Sequence, residues 1–516
     1  MHDTPSWQMG GGQRFFLTLA SVLATTLMSI DLMIASVALP QMQGALSATP
    51  DQVSWVLTSY VIALAVMTPV IGPVAARIGR RPAFITGVVG FTVTSVLCGL
   101  GWSLESVVAF RLLQGVFAAA LVPISQAVLL DAYPPSRQGE AMTYWSTGVM
   151  VGPVVGPALG GWLTDALSWR WIFFINLPFG IVTLALIAAF MSSDRPDRAR
   201  PLDTFGFALL AVALGCLQFV LDRGEHLDWF DSTLITTLVL VALGGAWMYV
   251  VHSRHAAHPF IPRELFLDRN FVACLVVTTV TSGVFMANIS LFAPMLQNVL
   301  GYPAREAGLM VAPRGLGVIV GAAVANQLRH WLSDRLVIAI GLSGAAAAIA
   351  WMTTFSLEVD RSHVLAVGIT QGFFYGMMFV PLTTATFATL AQSLRTDGAA
   401  LIQLLRQLAG GIGIALCFSG LVRWSHGYSQ ALAGRVNLDA DAWWSVLGGR
   451  STEATALLKA EITRQSGMLA FLEVTRWLAL LLLATVPLVL LMQRSRSLIV
   501  RDTPARPARS CRRRSH

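Results

Sequence analysis

The stretch TTLMSIDLMIASVALP, residues 25–40, decides the fold class because it is apolar apart from small hydroxyl side chains and one acid, Asp31, at its centre. With the residues before it, it forms an apolar segment longer than the roughly 20 residues needed to cross a hydrocarbon core about 30 Å thick. Similar segments recur along the chain, which is 55% hydrophobic and only 12% charged. A helix satisfies its backbone hydrogen-bonding groups within its own segment, as the lipid interior requires. The alternation of apolar and polar residues that is typical of membrane-spanning β-strands is absent. The sequence therefore predicts an all-α membrane protein.

Fourteen apolar segments predict fourteen transmembrane helices. The predicted spans are residues 15–40, 52–72, 82–101, 105–127, 140–163, 170–192, 204–223, 232–252, 271–297, 305–328, 335–355, 364–390, 398–422 and 469–493. A weak internal repeat relates the first six spans to the last six, and such duplicated halves are a common transporter plan. We therefore expect an N-terminal half (1–192), two inserted helices with linkers (193–270), a C-terminal half (271–493) with an external loop (423–467), and a basic tail (494–516).

Charge sets the orientation of these spans. An even number of helices puts both termini on one side, and with both termini cytoplasmic most arginines of the short loops lie inside, as the positive-inside rule requires. This predicts a multi-pass protein of the inner (cytoplasmic) membrane with both termini in the cytoplasm. The net charge of +8 comes from short loops and the tail, with no motif that reads bases. Membrane lipids of the anionic leaflet, and not nucleic acid, are the expected partner of these charges.

Two ionisable residues lie inside predicted spans of the first half. An ionised Asp31 is costly at this depth, so it either takes up a proton or faces a polar partner or cavity. Arg111 keeps its charge and must point inward, and Gln114 lies one turn along the same face. We predict that Asp31 and Arg111 serve proton coupling. A permanent ion pair, or an arginine that only caps broken backbone, remains the alternative.

Glycine and proline dominate the fifth span, GVMVGPVVGPALGGWL (148–163). Glycines four apart form a flat face for close helix packing, and prolines remove backbone hydrogen bonds and bend a helix. This glycine- and proline-rich pattern indicates either a helix that moves during gating or a helix that is only tightly packed. The predicted gating residues are Gly148, Gly152, Pro153, Gly156, Pro157, Gly160 and Gly161.

The loop GPVAARIGRR (72–81) turns at glycine and carries three arginines to the cytoplasmic side. These arginines set orientation, and we also consider a charge latch that holds two halves together. The loop residues concerned are Gly72, Arg77, Gly79, Arg80 and Arg81.

Other polar side chains within spans are candidates to line a cavity, with satisfied packing as the alternative for the amides. They are Gln114, Gln126, Asn288, Arg314 and Arg406. His252, His255 and His258 lack acidic or thiol partners nearby, so no metal site is predicted.

These motifs resemble the fourteen-helix drug:proton antiporter branch, of EmrB/QacA type, of the major facilitator superfamily. The segment SWRWIFFINLPFGI (168–181) is the most specific match, and IDLMIASVALP (30–40) and LDRGEHLDWF (221–230) also resemble the branch. The resemblance implies a major facilitator fold, a role of Asp31 in proton coupling and of Arg111 in the proton pathway, and a fifth helix that biases the cycle toward export. It further implies a periplasmic membrane-fusion adaptor and an outer-membrane channel as partners.

The chain departs from the branch at three positions. Ala76 stands where the loop motif usually has an acid, so a weakened latch is expected, and Met33 and Ser36 replace polar and amide residues.

The predicted function is proton-coupled export of hydrophobic or amphipathic small molecules by alternating access, with no cofactor and with the proton gradient as energy source. No phosphate-binding loop is present, and no cluster of nucleophile, base or metal ligands predicts an enzyme. A dedicated exporter of one endogenous metabolite, a carrier not coupled to protons, a membrane-bound enzyme and a sensor are the alternatives.

Overall fold

Long helices joined by short turns make up the chain, in agreement with its apolar segments. A computed structural model describes residues 10–134, 137–192, 203–256, 259–329, 331–434 and 452–492. The described residues contain no strand. Each of the fourteen predicted helices coincides with helical segments of the structure.

The helices before residue 260 include the first six predicted spans and the two predicted inserted helices. In chain order they are α1 Gly11–Ala45, α2 Pro50–Met67, α3 Ile71–Ile78, α4 Arg80–Leu100, α5 Leu104–Ala118, α6 Leu121–Ala132, α7 Gln138–Ala166, α8 Trp171–Phe174, α9 Asn176–Phe190, α10 Thr204–Arg223 and α11 Thr233–His255. Short 3₁₀ turns join α2 to α3 and α10 to α11.

The remaining helices include the last six predicted spans. They are α12 Glu264–Leu267, α13 Arg269–Pro294, α14 Ala304–Val311, α15 Pro313–Leu328, α16 Asp334–Trp351, α17 Arg361–Phe387, α18 Arg395–Ala433 and α19 Thr452–Ala484. A π-helical turn, Met295–Val299, follows α13, and a 3₁₀ segment, Val486–Leu491, lies beyond α19.

Thirteen helical segments among the described residues are long and apolar enough to cross a membrane. The fourteenth is α7, which is less apolar because of its glycines and prolines but has 29 residues. At 1.5 Å per residue it extends over about 44 Å, more than a hydrocarbon core requires.

Local sequence explains where several helices begin and end. Reciprocal capping boxes start α2, at Thr49 and Gln52, and α5, at Ser103 and Ser106. Gly79, with a φ of 94°, ends α3 and starts α4. Only glycine adopts this backbone conformation without strain, so the chain reverses direction there.

Helix pairing follows the same order in the first and last predicted six spans. In the first set α1 packs on α7, α2 on α5 and α4 on α9. In the last set α13 packs on α18, α15 on α17 and α16 on α19. The predicted inserted helices α10 and α11 pack on each other, and α10 also contacts α2 and α18, one helix from each set.

The segment 423–467, predicted as an external loop, is helical at both ends in the structure. α18 continues to Ala433 and α19 begins at Thr452. These flanks are polar, but they contain alanine, leucine, glutamate and lysine, which favour helices outside a membrane as well as within it. Residues 435–451 lie outside the described part of the chain.

Candidate functional site

Asp31 lies in the middle of α1 and is buried between helices. Its Oδ2 accepts a hydrogen bond from Arg111 Nη1 at 2.6 Å. Its Oδ1 accepts two more, from Gln114 Nε2 at 3.0 Å and from Asn176 Nδ2 at 2.9 Å. The side chain of Asp31 is 1% exposed and that of Arg111 0%. The two predicted proton-coupling residues thus form one buried ion pair.

Arg111 has further partners that do not depend on the charge of Asp31. Its Nε donates to the carbonyl oxygen of Val56 at 3.1 Å, and its Nη1 also donates to Gln114 Oε1 at 2.9 Å. Its guanidinium carbon lies 4.2 Å from the centre of the Tyr60 ring, a cation–π contact. These contacts hold the arginine in place independently of Asp31.

The network draws its members from α1, α4, α5 and α9. Arg111 and Gln114 are three residues apart on α5 and so share one face. Asn176 is the first residue of α9 and also donates to Ser95 Oγ on α4 at 3.0 Å. The sequence analysis missed Asn176 and Ser95. The only sequence signal for Asn176 is that it is an amide within the apolar run of residues 172–177. The sequence analysis cited this run only because it resembles a family motif.

A central cavity of about 420 Å³ with a largely apolar lining lies between the helices. On α1 it is lined by Thr25, Met28, Ser29 and Leu32, which recur at helical spacing along one face. Asp31 is not among the lining residues and packs against α5 and α9. In this conformation the ion pair is therefore sealed from the cavity.

Only one of the five polar candidates, Arg406, contributes to the cavity lining. Gln114 belongs to the Asp31 network, and Gln126 is buried in α6 away from the lining. Arg314 Nη2 donates to Asn288 Oδ1 at 2.9 Å behind the lining. Gln114, Gln126, Asn288 and Arg314, expected to line the cavity, are thus not among its lining residues. Gln114, Asn288 and Arg314 form hydrogen bonds between helices instead.

The glycines of α7 lie against the backbone of α1. A Cβ added at Gly148 would come 2.9 Å from the carbonyl oxygen of Val22, and one at Gly156 would come 2.7 Å from the Cβ of Met33. Gly152 and Gly160 continue this row. Gly161 has no neighbour within 4 Å of such a Cβ, so it lies off the packed face.

Hydroxyl groups of α1 also bind backbone oxygens of α7. Ser29 Oγ donates to the carbonyl oxygen of Val149 at 2.6 Å. Val149 lies four residues before Pro153, which has no N–H to offer that carbonyl. α7 is helical through Pro153 and Pro157, whose side chains are outside the described set. The serine thus satisfies the acceptor that the proline leaves free.

The predicted charge latch is built on Arg80. Its Nη1 donates to Asp131 Oδ2 at 2.5 Å, and its Nη2 donates to the carbonyl oxygen of Gln392 at 3.0 Å. Asp131 also pairs with Arg395 at the start of α18. Residue 76 is an alanine, and the carboxylate that joins Arg80 and Arg395 is that of Asp131 at the end of α6.

The other residues of the 72–81 loop take separate positions. Gly72 packs against the side chain of Asp397 on α18, where no side chain larger than hydrogen fits. Arg81 Nη2 donates to the carbonyl oxygen of Ala188 on α9 at 2.6 Å, and Arg77 is exposed.

Within the described residues no group of three or more His, Cys, Asp and Glu side chains could hold a metal. His252 Nε2 instead contacts Asp203 Oδ1 at 2.8 Å, which ties the ends of α11 and α10 together. His258 lies outside the described residues.

Comparison with known proteins matches the chain to one family. The family described as Major Facilitator Superfamily matches residues 21–414. The fatty acid resistance protein FarB of Neisseria gonorrhoeae is 35% identical over 79% of this chain and 80% of its own length. The multidrug export protein EmrB of Escherichia coli K12 is 33% identical over 88% of this chain and 90% of its own length.

Solved structures share the fold at low sequence identity. The human organic anion transporter MFSD10 (TETRAN) superimposes with a TM-score of 0.61 at 12% identity, over 93% of this chain and 100% of that one. The proton:xylose symporter XylE superimposes with a TM-score of 0.57 at 14% identity, over 90% of this chain and 95% of that one.

Proposed function

This chain belongs to the Major Facilitator Superfamily and is an EmrB-like secondary transporter for multidrug efflux, and we propose that proton entry through Asp31 drives the export. Protons move down their gradient into the cell while a lipophilic cargo leaves through the central cavity. The proton gradient is the energy source, and the transporter is not an enzyme.

The buried network around Asp31 is the observation that carries this proposal. A carboxylate in a membrane interior is costly when charged and is stabilised here by three hydrogen bonds. Protonation of Asp31 leaves Arg111 with Val56, Gln114 and Tyr60 as partners. Arg111 is therefore held in place in both protonation states of the acid, although its charge is unpaired when Asp31 is protonated.

Alternation of access follows from the contacts between helices. The row of glycines lets α7 slide on α1, and the hydrogen bond from Ser29 to Val149 bridges the same interface. The latch of Arg80, Asp131 and Arg395 closes the end that the charge pattern predicts to be cytoplasmic. Breaking that latch opens the cavity to the cytoplasm, and re-forming it turns the cavity outward.

The moving bodies are the two predicted halves, residues 1–192 and 271–493, with residues 193–270 inserted between them. The repeated helix pairing supports this division. The protein lies in the inner membrane with both termini cytoplasmic, as the loop arginines favour. A periplasmic membrane-fusion adaptor and an outer-membrane channel receive the cargo, and the segment between α18 and α19 is the docking region.

The cargo class follows from the cavity and from the relatives. The lining is mainly apolar, which suits lipophilic molecules of drug size. The relatives are named for multidrug export and for fatty acid resistance.

The test uses purified protein in liposomes with an acidic lumen and a fluorescent lipophilic cargo outside. Wild type accumulates the cargo in the lumen, and an uncoupler abolishes this uptake. Asp31→Asn lowers uphill uptake at least tenfold while it still binds cargo. Asp165→Asn, which changes an exposed acid on α7, transports normally. Undiminished uphill uptake by Asp31→Asn contradicts the proposal.

A further inference from the structure

Helix α10, one of the two predicted inserted helices, supplies the one carboxylate among the described residues that lines the central cavity. Asp222, in the last turn of α10, is exposed, and its carboxylate accepts a hydrogen bond from Thr58 Oγ1 of α2. Asp31, in contrast, is 1% exposed and is not among the lining residues. A proton that enters the cavity with water therefore meets Asp222 before it meets Asp31.

The last turn of α10 is fixed to one face of α2. The centre of the Trp55 ring lies 5.7 Å from that of the Phe219 ring and 4.8 Å from the guanidinium carbon of Arg223. Thr58 follows Trp55 by three residues, so it lies on the same face of α2. It is 2% exposed, and there it donates to Asp222. The cavity acid is thus part of the contact between these two helices.

The other side of the same turn of α2 holds Arg111. The carbonyl oxygen of Val56 accepts a hydrogen bond from Arg111 Nε at 3.1 Å, and the centre of the Tyr60 ring lies 4.2 Å from the guanidinium carbon. At about 100° per residue, Val56 and Tyr60 lie roughly 150° around the helix from Trp55 and Thr58. One turn of α2 therefore contacts the cavity acid on one side and the arginine of the buried ion pair on the other.

Thr58 has a second acceptor within reach. Its Oγ1 lies 3.3 Å from the carbonyl oxygen of Ser54, one turn earlier in α2. A hydroxyl group has one hydrogen to donate, so the two acceptors compete for it. An ionised carboxylate is the stronger acceptor, because hydrogen bonds to charged groups are about twice as strong as neutral ones. A proton on Asp222 removes this advantage, and Thr58 can then turn to Ser54 and release α2 from α10.

We propose that Asp222 is a second proton-binding residue of the export cycle, and that α2 couples its charge to the pair of Asp31 and Arg111. A proton from the cavity water binds to Asp222 and releases Thr58. The turn of α2 then moves, and Arg111 is held less firmly against Asp31, which takes up its own proton more readily. This rests on the proposed export function and gives the inserted helix α10 a part in it.

Other titratable groups help to set the pH at which the two acids take up protons. The charged groups contributed by the elements around Asp222 are Arg223 of α10, Arg406 of α18, which lines the same cavity, and the exposed Glu225 of the following 3₁₀ turn. Neither α2 from Gln52 to Met67 nor α11 from Thr233 to Val251 has a charged residue. Around Asp31 the further titratable groups are Arg111, Tyr60 and Cys98, whose Sγ lies 3.6 Å from Gln114 Oε1.

The first test follows uphill uptake in liposomes while the lumenal pH is varied at a constant pH difference across the membrane. Asp222→Asn and Thr58→Val both remove the charge-assisted hydrogen bond that holds α2. We expect half-maximal uptake at a pH about one unit higher than in the wild type, a tenfold lower proton concentration. Asp222→Glu and Thr58→Ser keep this bond and should stay near the wild-type midpoint. Glu225→Gln, at an exposed acid three residues along the chain, should change nothing.

The second test observes the buried acid directly. In purified protein in nanodiscs, the infrared C=O band of protonated Asp31 is identified by its loss in Asp31→Asn. Titration of this band in Asp222→Asn and Thr58→Val should show the same shift toward higher pH. Because Asp222 is exposed, its replacement should leave the fold intact, and binding of the fluorescent cargo checks this.

The outcomes separate the coupling from the export function. An unchanged midpoint in both variants overturns the coupling. So does a shift of Asp222→Asn toward lower pH, which the loss of a nearby negative charge alone would produce. A wild type that binds the cargo but never accumulates it uphill overturns the export function instead, and the infrared titration then still decides whether Asp222 is coupled to Asp31.

Discussion

Removal of one charge from the buried pair should destabilise the protein more than removal of both. Asp31 accepts three hydrogen bonds, from Arg111, Gln114 and Asn176. In Asp31→Asn the amide has one oxygen, so its NH₂ group must face at least one of these donors. A buried ion pair that loses one partner typically costs about 3–5 kcal/mol. Since the two side chains are 1% and 0% exposed, we expect a loss within that range.

The double variant Asp31→Asn/Arg111→Gln removes the stranded cation as well. Its two amides can pair with each other and with Gln114, so the expected coupling between the substitutions is about 2–3 kcal/mol. The measurement is equilibrium unfolding in mixed micelles, followed by tryptophan fluorescence, for wild type, both single variants and the double variant. Neither variant that lacks Asp31 should pump cargo uphill.

Additive losses would refute this reasoning. If the double variant is destabilised by the sum of the single losses, Asp31 does not act as the counter-charge of Arg111. If the double variant regains stability and also pumps cargo uphill, the ion pair of Asp31 and Arg111 stabilises the protein but is not required for proton coupling.

Three further predictions follow from the contacts between helices. Gly156→Leu places side-chain atoms against Met33 and should abolish uphill uptake although the protein is expressed at the normal level. Gly161→Leu has free space around it and should transport normally. Equal activity of the two variants contradicts the proposal that α7 slides on α1. Asp131→Asn removes the carboxylate shared by Arg80 and Arg395 and should lengthen the distance between spin labels at positions 77 and 392. An unchanged distance distribution argues against the latch. Asn176→Leu removes one hydrogen bond to Asp31 and should lower the free energy of unfolding by about 1–3 kcal/mol and reduce uphill uptake. Ser95→Ala keeps that hydrogen bond and should have the smaller effect on both. A larger loss of stability and uptake in Ser95→Ala than in Asn176→Leu would exclude Asn176 from the network.

Much of the fold was predictable because lipid imposes a strong constraint on each segment separately. Apolar length located thirteen of the helices, and the less apolar α7 was located by its glycine- and proline-rich segment. Asp31, Arg111 and Gln114 stood out because charged and amide groups are costly at membrane depth. The ends of α18 and α19 were less predictable, since polar helix-forming residues continue a helix beyond the membrane without any change in hydropathy that marks the end.

Partners contributed by distant helices could not be predicted from local pattern. Asn176 joins Asp31 from a position 145 residues away, and Asp131 meets Arg395 across 264 residues. The motif around Ala76 concerns the residues of one loop, whereas the carboxylate that joins Arg80 and Arg395 comes from Asp131 on another helix.

The position of α10 bears on how molecules reach the cavity. Gln218, Leu221 and Asp222 of this helix form part of the lining, while α11 behind it faces outward along most of its length. α2 and α18 touch through the hydrogen bond from Gln407 Nε2 to the carbonyl oxygen of Val61, and α10 packs against both helices beside this contact. A molecule dissolved in the bilayer would therefore have to displace α10 to enter the cavity at this junction.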